Sequence, residues 1–490
     1  MNDRISRFLA ERRPETPCLV IDLDVVAEAY EALRRYLPLA KIFYAVKANP
    51  AEDVISMLRE LGSSFDVASR GEVDLVFDKG IGAERVSFGN TIKKERDIAY
   101  AFDRGVRLFA FDSEAELEKI ARSAPGSRVF CRILVECGGA EWPLSRKFGC
   151  APEMAVSLLK LARERGLDPY GVSFHVGSQQ TNLTQWDSAI GQAARMFSAL
   201  AQCDINLRMV NIGGGFPAHY RGDVPEVQVY ANAVMAAITR HFGNDLPEIV
   251  VEPGRSVVGD AGVIQSEVVL ISRKAEGEEK RWVYLDVGKF NGLAETMDES
   301  IKYRIRTPAD GGAVGPAVLA GPTCDSADIL YEKTEYQLPL DLKVGDKVEL
   351  LSTGAYTSSY SSVGFNGFQP LRTYCIRSET RGNGTAAKRS RKGTSPTSPR
   401  RAASPAHRVV AVPRRPGSTP RRDHHAGNCA RRDRAQRPLL RVHHRLSGVC
   451  AAARHRNGQP SRLDRTRRRH ASVHHRSRLS CRGWAATRGG

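Results

Sequence analysis

The sequence predicts an α/β protein: a (β/α)8 barrel, then a C-terminal antiparallel β domain, then a disordered basic tail. Three observations carry this expectation. Eight short apolar segments recur between about residues 40 and 255, most of them separated by amphipathic stretches. After Arg255 the pattern changes to alternating segments punctuated by turn residues. Near residue 377 the composition itself breaks. Strand–helix alternation implies parallel strands, and eight such units close into a barrel.

The barrel segments are Lys41–Lys47, Ser64–Ala68, Arg85–Gly89, Arg107–Phe111, Arg128–Ile133, Gly171–Val176, Arg208–Ile212 and Glu248–Val251. Between them, Pro50–Leu61, Ser113–Ser123 and Pro152–Arg165 have the spacing of amphipathic helices. The β segments that follow are Gly262–Ser272, Trp282–Val287, Ala317–Leu319, Asp346–Leu351 and Thr373–Ile376. Turn residues such as Val344-Gly345-Asp346 separate them. Ahead of the barrel, Cys18–Asp22 reads as a strand that joins the β domain. The expected division is 1–25 with the β domain, 26–258 the barrel, 259–376 the β domain and 377–490 the tail.

A formal charge of +18 would ordinarily suggest a nucleic-acid partner. Residues 377–490 hold 30 Lys+Arg against 4 Asp+Glu, whereas residues 1–376 hold 43 against 51. The body is therefore mildly acidic, and only the tail could attract a polyanion. In that tail only Lys388 and Lys392 are lysines, nine of the twelve histidines are present, and Trp484 is the sole aromatic. Such a segment cannot bury enough apolar surface to offset its ordering entropy. A basic arm for nucleic acid is one reading. A metal tract is another, but His424-His425, His443-His444 and His474-His475 lack a supporting ligand pattern. An out-of-frame translation of GC-rich DNA is the third, and it matches the composition best.

The body's cysteines are Cys18, Cys131, Cys137, Cys150, Cys203, Cys324 and Cys375. Their odd number and irregular spacing do not describe a disulfide framework. Met1–Ala10 has no apolar core of a signal peptide, and no apolar run reaches membrane-spanning length. A cytoplasmic protein without a membrane partner is expected.

Active sites of barrels lie at the C-terminal strand ends. Those ends read Lys47, Asp66, Asn90, Asp112, Arg132, His175, Gly213-Gly214-Gly215 and Glu252. Turn chemistry accounts for Asn90 and Asp112, but not for Lys, Arg, His and Glu on one rim. A half-desolvated strand-end lysine can lose its proton and attack an aldehyde. Pyridoxal phosphate is the obvious aldehyde, and it needs four things from a protein. Lys47 supplies the amine for a Schiff base. The three glycines offer close backbone approach to a phosphate, and Gly254 and Arg255 on the next strand add to the cradle. Glu252 suits the pyridine nitrogen, which it would keep protonated. His175 suits the ring face, with Ser178 three residues on for another phosphate contact. Each motif alone has a bland explanation: a solvated lysine, a common glycine loop, a structural histidine, a salt bridge. Their joint occurrence does not.

Together YAVKANP (44–50), FDVAS (65–69), FHVGSQ (174–179), NIGGGFP (211–217) and EPGR (252–255) resemble the fold-type III pyridoxal-phosphate decarboxylases of basic amino acids. GPTCDSAD (321–328), GAYT (354–357) and FNGF (365–368) narrow the resemblance to ornithine decarboxylases. It covers about residues 15–376. It implies a homodimer with active sites shared between subunits, Lys47 as the Schiff-base lysine, Glu252 on the pyridine nitrogen and His175 on the ring. Asp66 and Arg132 would line the cofactor, and Ser178, Gly214, Gly254, Arg255 and Tyr356 would bind its phosphate. Cys324 would come from the other subunit to protonate the carbon that loses carbon dioxide, with Asp325 holding the substrate's distal ammonium. Lys147 and Asp328 would pair across the dimer interface.

In the familiar eukaryotic enzymes a second substrate-binding acid follows Phe-Asn in a Tyr-Asp pair. Here Phe290-Asn291 is followed by Gly-Leu-Ala-Glu295-Thr-Met-Asp298, so Glu295 or Asp298 is the candidate. The implied activity is L-ornithine decarboxylation to putrescine. A broader lysine/ornithine decarboxylase and a catalytically inactive regulatory homologue are the alternatives. Diaminopimelate decarboxylase fits less well, because that relative usually has Cys-Glu-Ser where this chain has Cys324-Asp325-Ser326. An alanine-racemase-like protein shares the barrel but lacks the Cys-Asp pair.

Overall fold

Residues 3–142 and 147–378 are described by the computed structural model. The chain enters through helix α1 (Asp3–Arg12) and strand β1 (Cys18–Asp22). Asp22 ends the strand and caps α2 (Leu23–Tyr36) by accepting from the Asp24 N–H. Strand–helix units then follow: β2 (Ala40–Ala45), α3 (Glu52–Glu60), β3 (Ser64–Val67), α4 (Arg70–Asp78), β4 (Val86–Phe88), α5 (Glu95–Asp103), β5 (Leu108–Phe111), α6 (Glu114–Ser123) and β6 (Arg128–Arg132). After β7 (Ala140–Trp142) come α7 (Pro152–Glu164), β8 (Asp168–Ser173), β9 (Ser178–Gln180), α8 (Thr184–Ala201), β10 (Met209–Asn211), α9 (Val227–Phe242), β11 (Glu248–Val251) and α10 (Arg255–Val258).

Eight parallel strands close in the order β10-β11-β2-β3-β4-β5-β6-β8. Each expected apolar segment supplies one of them, so the (β/α)8 barrel stands. Neighbouring helices pack on one another round the outside, and α9 returns against α2. Two short strands within the barrel region were not anticipated. β7 and β9 pair antiparallel, with Ala140 opposite Gln180, and β9 brings Ser178 back beside the rim.

The remaining strands are β12 (Gly262–Ser272), β13 (Arg281–Leu285), β14 (Ile305–Arg306), β15 (Val314–Ala320), β16 (Ile329–Pro339), β17 (Lys347–Leu351) and β18 (Arg372–Ile376). They form a sheet ordered β14-β17-β12-β13-β15-β16, extended by β1 and β18. Most pairs are antiparallel. The sheet is nevertheless mixed, because β1 runs parallel to β18 and β13 parallel to β15. The antiparallel expectation came from alternation, which reports a half-buried strand but not the direction of its neighbour.

One buried cluster is drawn only from barrel strands: Phe43, Leu108, Ala110, Phe130, Tyr170, Met209 and Val250. It fills the barrel interior below the rim. A larger core lies between strands and helices, and it includes Trp186 of α8 packed on Phe216 and Tyr230, at 5.5 and 5.6 Å between ring centroids. Trp186 backs the glycine loop that follows β10. Of the tail, residues from 379 onward lie outside the described residues, and so do the expectations made for them. Among the described residues no helix is long and apolar enough to cross a membrane.

Candidate active site

Side chains alternate along a strand, so residues two apart share a face. From Phe130, Met209 and Val250 in the barrel interior, that rule leads to Arg132, Asn211 and Glu252 at the rim. On β2 it leads from Phe43 through Ala45 to Lys47. Ala45 pairs with Asp66 of β3. The barrel thus carries one inward set of residues, apolar below and ionisable at its C-terminal end. Lys47 is just past the strand, in a single 3-10 turn over Val46–Ala48. Tyr356 donates its N–H to the Ala48 carbonyl at 2.8 Å, and Ser359 donates its hydroxyl to the Lys47 carbonyl at 3.0 Å. Both belong to the β domain, which therefore holds the lysine turn in place.

Lys47 Nζ stands 3.7 Å from an Asp66 oxygen. The side chain is 50% exposed. Burial works to lower its pKa, but Asp66, then Tyr356 and Glu252, outweigh it and the net shift is upward. These neighbours oppose the loss of the proton that burial by itself would favour. Asp66 is 4% exposed. Burial, then the nearby Glu252, pushes its pKa well above the usual carboxylate range, against the pull of Lys47. Its Oδ1 is buried with no hydrogen-bond partner among the described residues.

His175 follows β8. Its Nδ1 accepts the Gly177 N–H at 3.0 Å, so a neutral ring carries its proton on Nε2. Burial, then Arg132, Lys47 and Arg255, drives its pKa well below the usual histidine range. The ring is therefore uncharged at neutral pH. Burial also lowers the Arg132 pKa, countered by Glu252, Asp112 and Asp66.

The glycine loop leaves little room for side chains. At Gly213 (φ +68) a Cβ would lie 2.3 Å from the Phe174 carbonyl oxygen. At Gly214 it would lie 2.7 Å from the Glu252 carbonyl oxygen and 3.3 Å from His175 Nε2. Gly215 shares the loop, and Gly254 brings the next strand end to within contact of Ala48. Asn211 organises this corner. Its side chain donates to Glu252 Oε1 and accepts the Gly213 N–H at 2.9 Å. Asn211 escaped the sequence reading, although its place two residues beyond Met209 was signal enough.

Arg255 is 3% exposed and tightly held. Nε donates to Ser178 Oγ at 3.0 Å and Nη1 to the Tyr220 hydroxyl at 2.7 Å. Nη1 and Nη2 also grip the two Glu295 oxygens at 2.8 and 2.6 Å. Glu295 is 4% exposed and spends both oxygens on Arg255. Glu295, one of the two candidates for the second substrate-binding acid, thus faces Arg255. Asp298 is exposed at φ +52, with no hydrogen bond or ion pair among the described residues.

Cys324 and Asp325 are exposed on the β-domain loop between β15 and β16. The Cys324 N–H donates to the Asn366 side chain at 2.8 Å, and Asp325 accepts the Ala327 N–H at 2.9 Å. Within one chain neither makes a hydrogen bond or ion pair with the Lys47 cluster among the described residues. Asp328 is buried, and its oxygens accept from Lys289 N and from Thr323 N and Oγ1 of its own chain. Lys147 is exposed on another loop, and its ammonium lies 5.0 Å from the Phe148 ring centroid.

Comparison with known proteins bears directly on this geometry. A family model described as pyridoxal-dependent decarboxylase, pyridoxal binding domain, matches residues 23–259. The lysine/ornithine decarboxylase of Selenomonas ruminantium is 37% identical over 370 residues, covering 75% of this chain and 91% of that one. Antizyme inhibitor 2 of Xenopus laevis is 34% identical over 364 residues, 71% of this chain and 78% of the other. The crystal structure of a lysine/ornithine decarboxylase from Vibrio vulnificus complexed with cadaverine superposes with a TM-score of 0.69 at 31% identity, covering 77% of this chain and 99% of that one. The residues present suit pyridoxal phosphate. A glycine loop that a Cβ would fill suits its phosphate, and Lys47 beside a buried Asp66 oxygen with no partner among the described residues suits its aldehyde and ring. The chain belongs to the fold-type III pyridoxal-phosphate-dependent decarboxylases.

Proposed function

We propose that this protein decarboxylates L-ornithine to putrescine and carbon dioxide. The observation that carries the reading is the convergence of Lys47, Asp66, Arg132, His175 and Glu252 on one barrel rim, in a chain that also keeps Cys324-Asp325. Pyridoxal phosphate, when bound, supplies an aldehyde that captures amines and a ring that accepts the electrons left by departing carbon dioxide.

Lys47 is the residue that would bind it covalently. Glu252, oriented by Asn211, would hold the pyridine nitrogen and its proton. His175, uncharged, would border the ring without competing for charge. Asp66 and Arg132 would flank it. Ser178, the Gly213–Gly215 loop, Gly254, Arg255 and Tyr356 would take the phosphate. Cys324 of a second subunit would return a proton to the carbon that has lost carbon dioxide, and Asp325 beside it would hold the distal ammonium. That arrangement requires a homodimer. Asp298 remains the candidate for a second contact to the ammonium.

A second reading extends the substrate to L-lysine. It is favoured by the lysine/ornithine relative and by the pairing of Glu295 with Arg255. Kinship with an antizyme inhibitor means that family membership alone does not carry activity; the presence of both Lys47 and Cys324 supports an enzyme. The test is a competition: the protein with pyridoxal phosphate and equal L-ornithine and L-lysine, with the amines identified by mass spectrometry. Mostly putrescine is expected. Comparable or dominant cadaverine would replace the ornithine reading with the broader one. Neither amine from cofactor-loaded protein would refute decarboxylation.

A further inference from the structure

We propose that Glu295 is a positioning residue for the phosphate side of this site, acting through Arg255. The proposal rests on the reading that Ser178 and Arg255 face the cofactor's phosphate. Arg255 has five N–H donors. One goes to Ser178, one to Tyr220 and two to Glu295. One Nη2 hydrogen remains, and the Tyr356 ring lies 5.0 Å from the guanidinium carbon. Planar bidentate pairing fixes both the position and the tilt of the guanidinium, so Glu295 decides where that last donor and the Ser178-bound Nε point. Both partners are buried, with side-chain exposures of 3% and 5%.

The two partners come from different parts of the fold. Arg255 begins α10, directly after the last barrel strand, whereas Glu295 lies in the 3-10 segment Ala294–Glu299 between β13 and β14. The pair therefore sets the phosphate side of the barrel rim from the β domain. It is neutral overall, so its effect on a dianion comes through aimed N–H dipoles rather than net charge.

The test titrates apo-protein with pyridoxal phosphate and, separately, with pyridoxal, which lacks the phosphate. Wild type, E295Q and E295D are compared by absorbance, with far-UV circular dichroism as a check on folding. E295D keeps the charge but is too short to span both guanidinium nitrogens, so it decides the matter where E295Q does not fold. The affinity for pyridoxal phosphate should fall roughly 10- to 100-fold, the range seen when a supporting partner of a ligand is removed. The affinity for pyridoxal should stay within about two-fold, and so should the KM for L-ornithine at saturating cofactor. Equal losses for the two vitamers would mean general damage and overturn the proposal. A raised KM with unchanged cofactor affinity would return Glu295 to the substrate. A wild-type protein that takes up no pyridoxal phosphate would instead sink the underlying reading.

Discussion

Gly214→Ala adds a single carbon at the floor of the glycine loop. That carbon would stand 2.7 Å from the Glu252 carbonyl oxygen and 3.3 Å from His175 Nε2. Contacts of this kind settle nearer to about 3.5 Å, so the loop and the strand end must part by roughly half an ångström or more. Neither side is free to yield. The Glu252 N–H donates to Gly213 O at 2.8 Å, and the next carbonyl, of Pro253, accepts the Ala45 N–H at 3.0 Å. Gly214 does not lie in the left-handed region, so alanine is conformationally allowed and the strain is steric alone. Forcing a methyl into a packed site costs about 1–3 kcal/mol. If the loop holds its shape, that cost appears as lost stability of the apo-protein. If the loop moves outward, it appears as lost cofactor affinity, about tenfold per 1.4 kcal/mol. Thermal unfolding of the apo-protein and absorbance titration with pyridoxal phosphate measure the two shares, which together should reach about 1–3 kcal/mol. A variant with an unshifted melt and a dissociation constant within about two-fold of wild type would refute the packing argument.

Four further outcomes are expected. Trp186→Ala should cost about 3–5 kcal/mol in denaturant unfolding, because Trp186 is fully buried against Phe216 and Tyr230; a loss below about 1 kcal/mol would contradict its place in the core. Lys93 and Glu116 form a buried pair at 2.9 Å, and burial, partly offset by Glu116, lowers the Lys93 pKa to about 8. Glu116→Gln should therefore cost about 3–5 kcal/mol, while the Lys93→Met, Glu116→Leu double variant recovers most of it; a double variant no better than the single would show that charge is not the issue. Burial works against the Glu299 charge, but the Glu332, Lys333 and Thr334 amides outweigh it and bring its pKa to about 2 from an ordinary 4.5. A carboxylate with a depressed pKa adds stability above its unfolded value and loses it as pH falls through the folded one, so Glu299→Gln should flatten the acid limb between pH 4.5 and about 2. Finally, Asp66→Asn should lower the Lys47 pKa, since Asp66 is the largest influence holding it up. The pH midpoint of cofactor uptake by apo-protein should then move down, and an unmoved midpoint would remove Asp66 from that role.

Much of the barrel was legible before any coordinates. Its strands are short, apolar and regularly interrupted, and the polar residues that end them mark the rim. β16 was missed because Glu332-Lys333-Thr334-Glu335 in its middle are polar and largely exposed and break the apolar run. β7 and β9 were missed because a three-residue pair formed across distant loops has no local period to detect. Asn211 was readable from strand alternation and simply lies one step beyond the apolar cluster.

By itself the sequence determined the eight barrel strands, their inward faces and the set of ionisable residues available at the rim, because alternation and turn chemistry are local properties of the chain. Only the tertiary structure decided how those residues share protons and partners. It raises the Lys47 pKa against burial, since Asp66, Tyr356 and Glu252 arrive from three other elements. It spends Glu295 on Arg255, since a buried arginine takes the nearest carboxylate that can span both its nitrogens. Charge pairing at a barrel rim depends on distances across the fold, and spacing along the chain does not encode them.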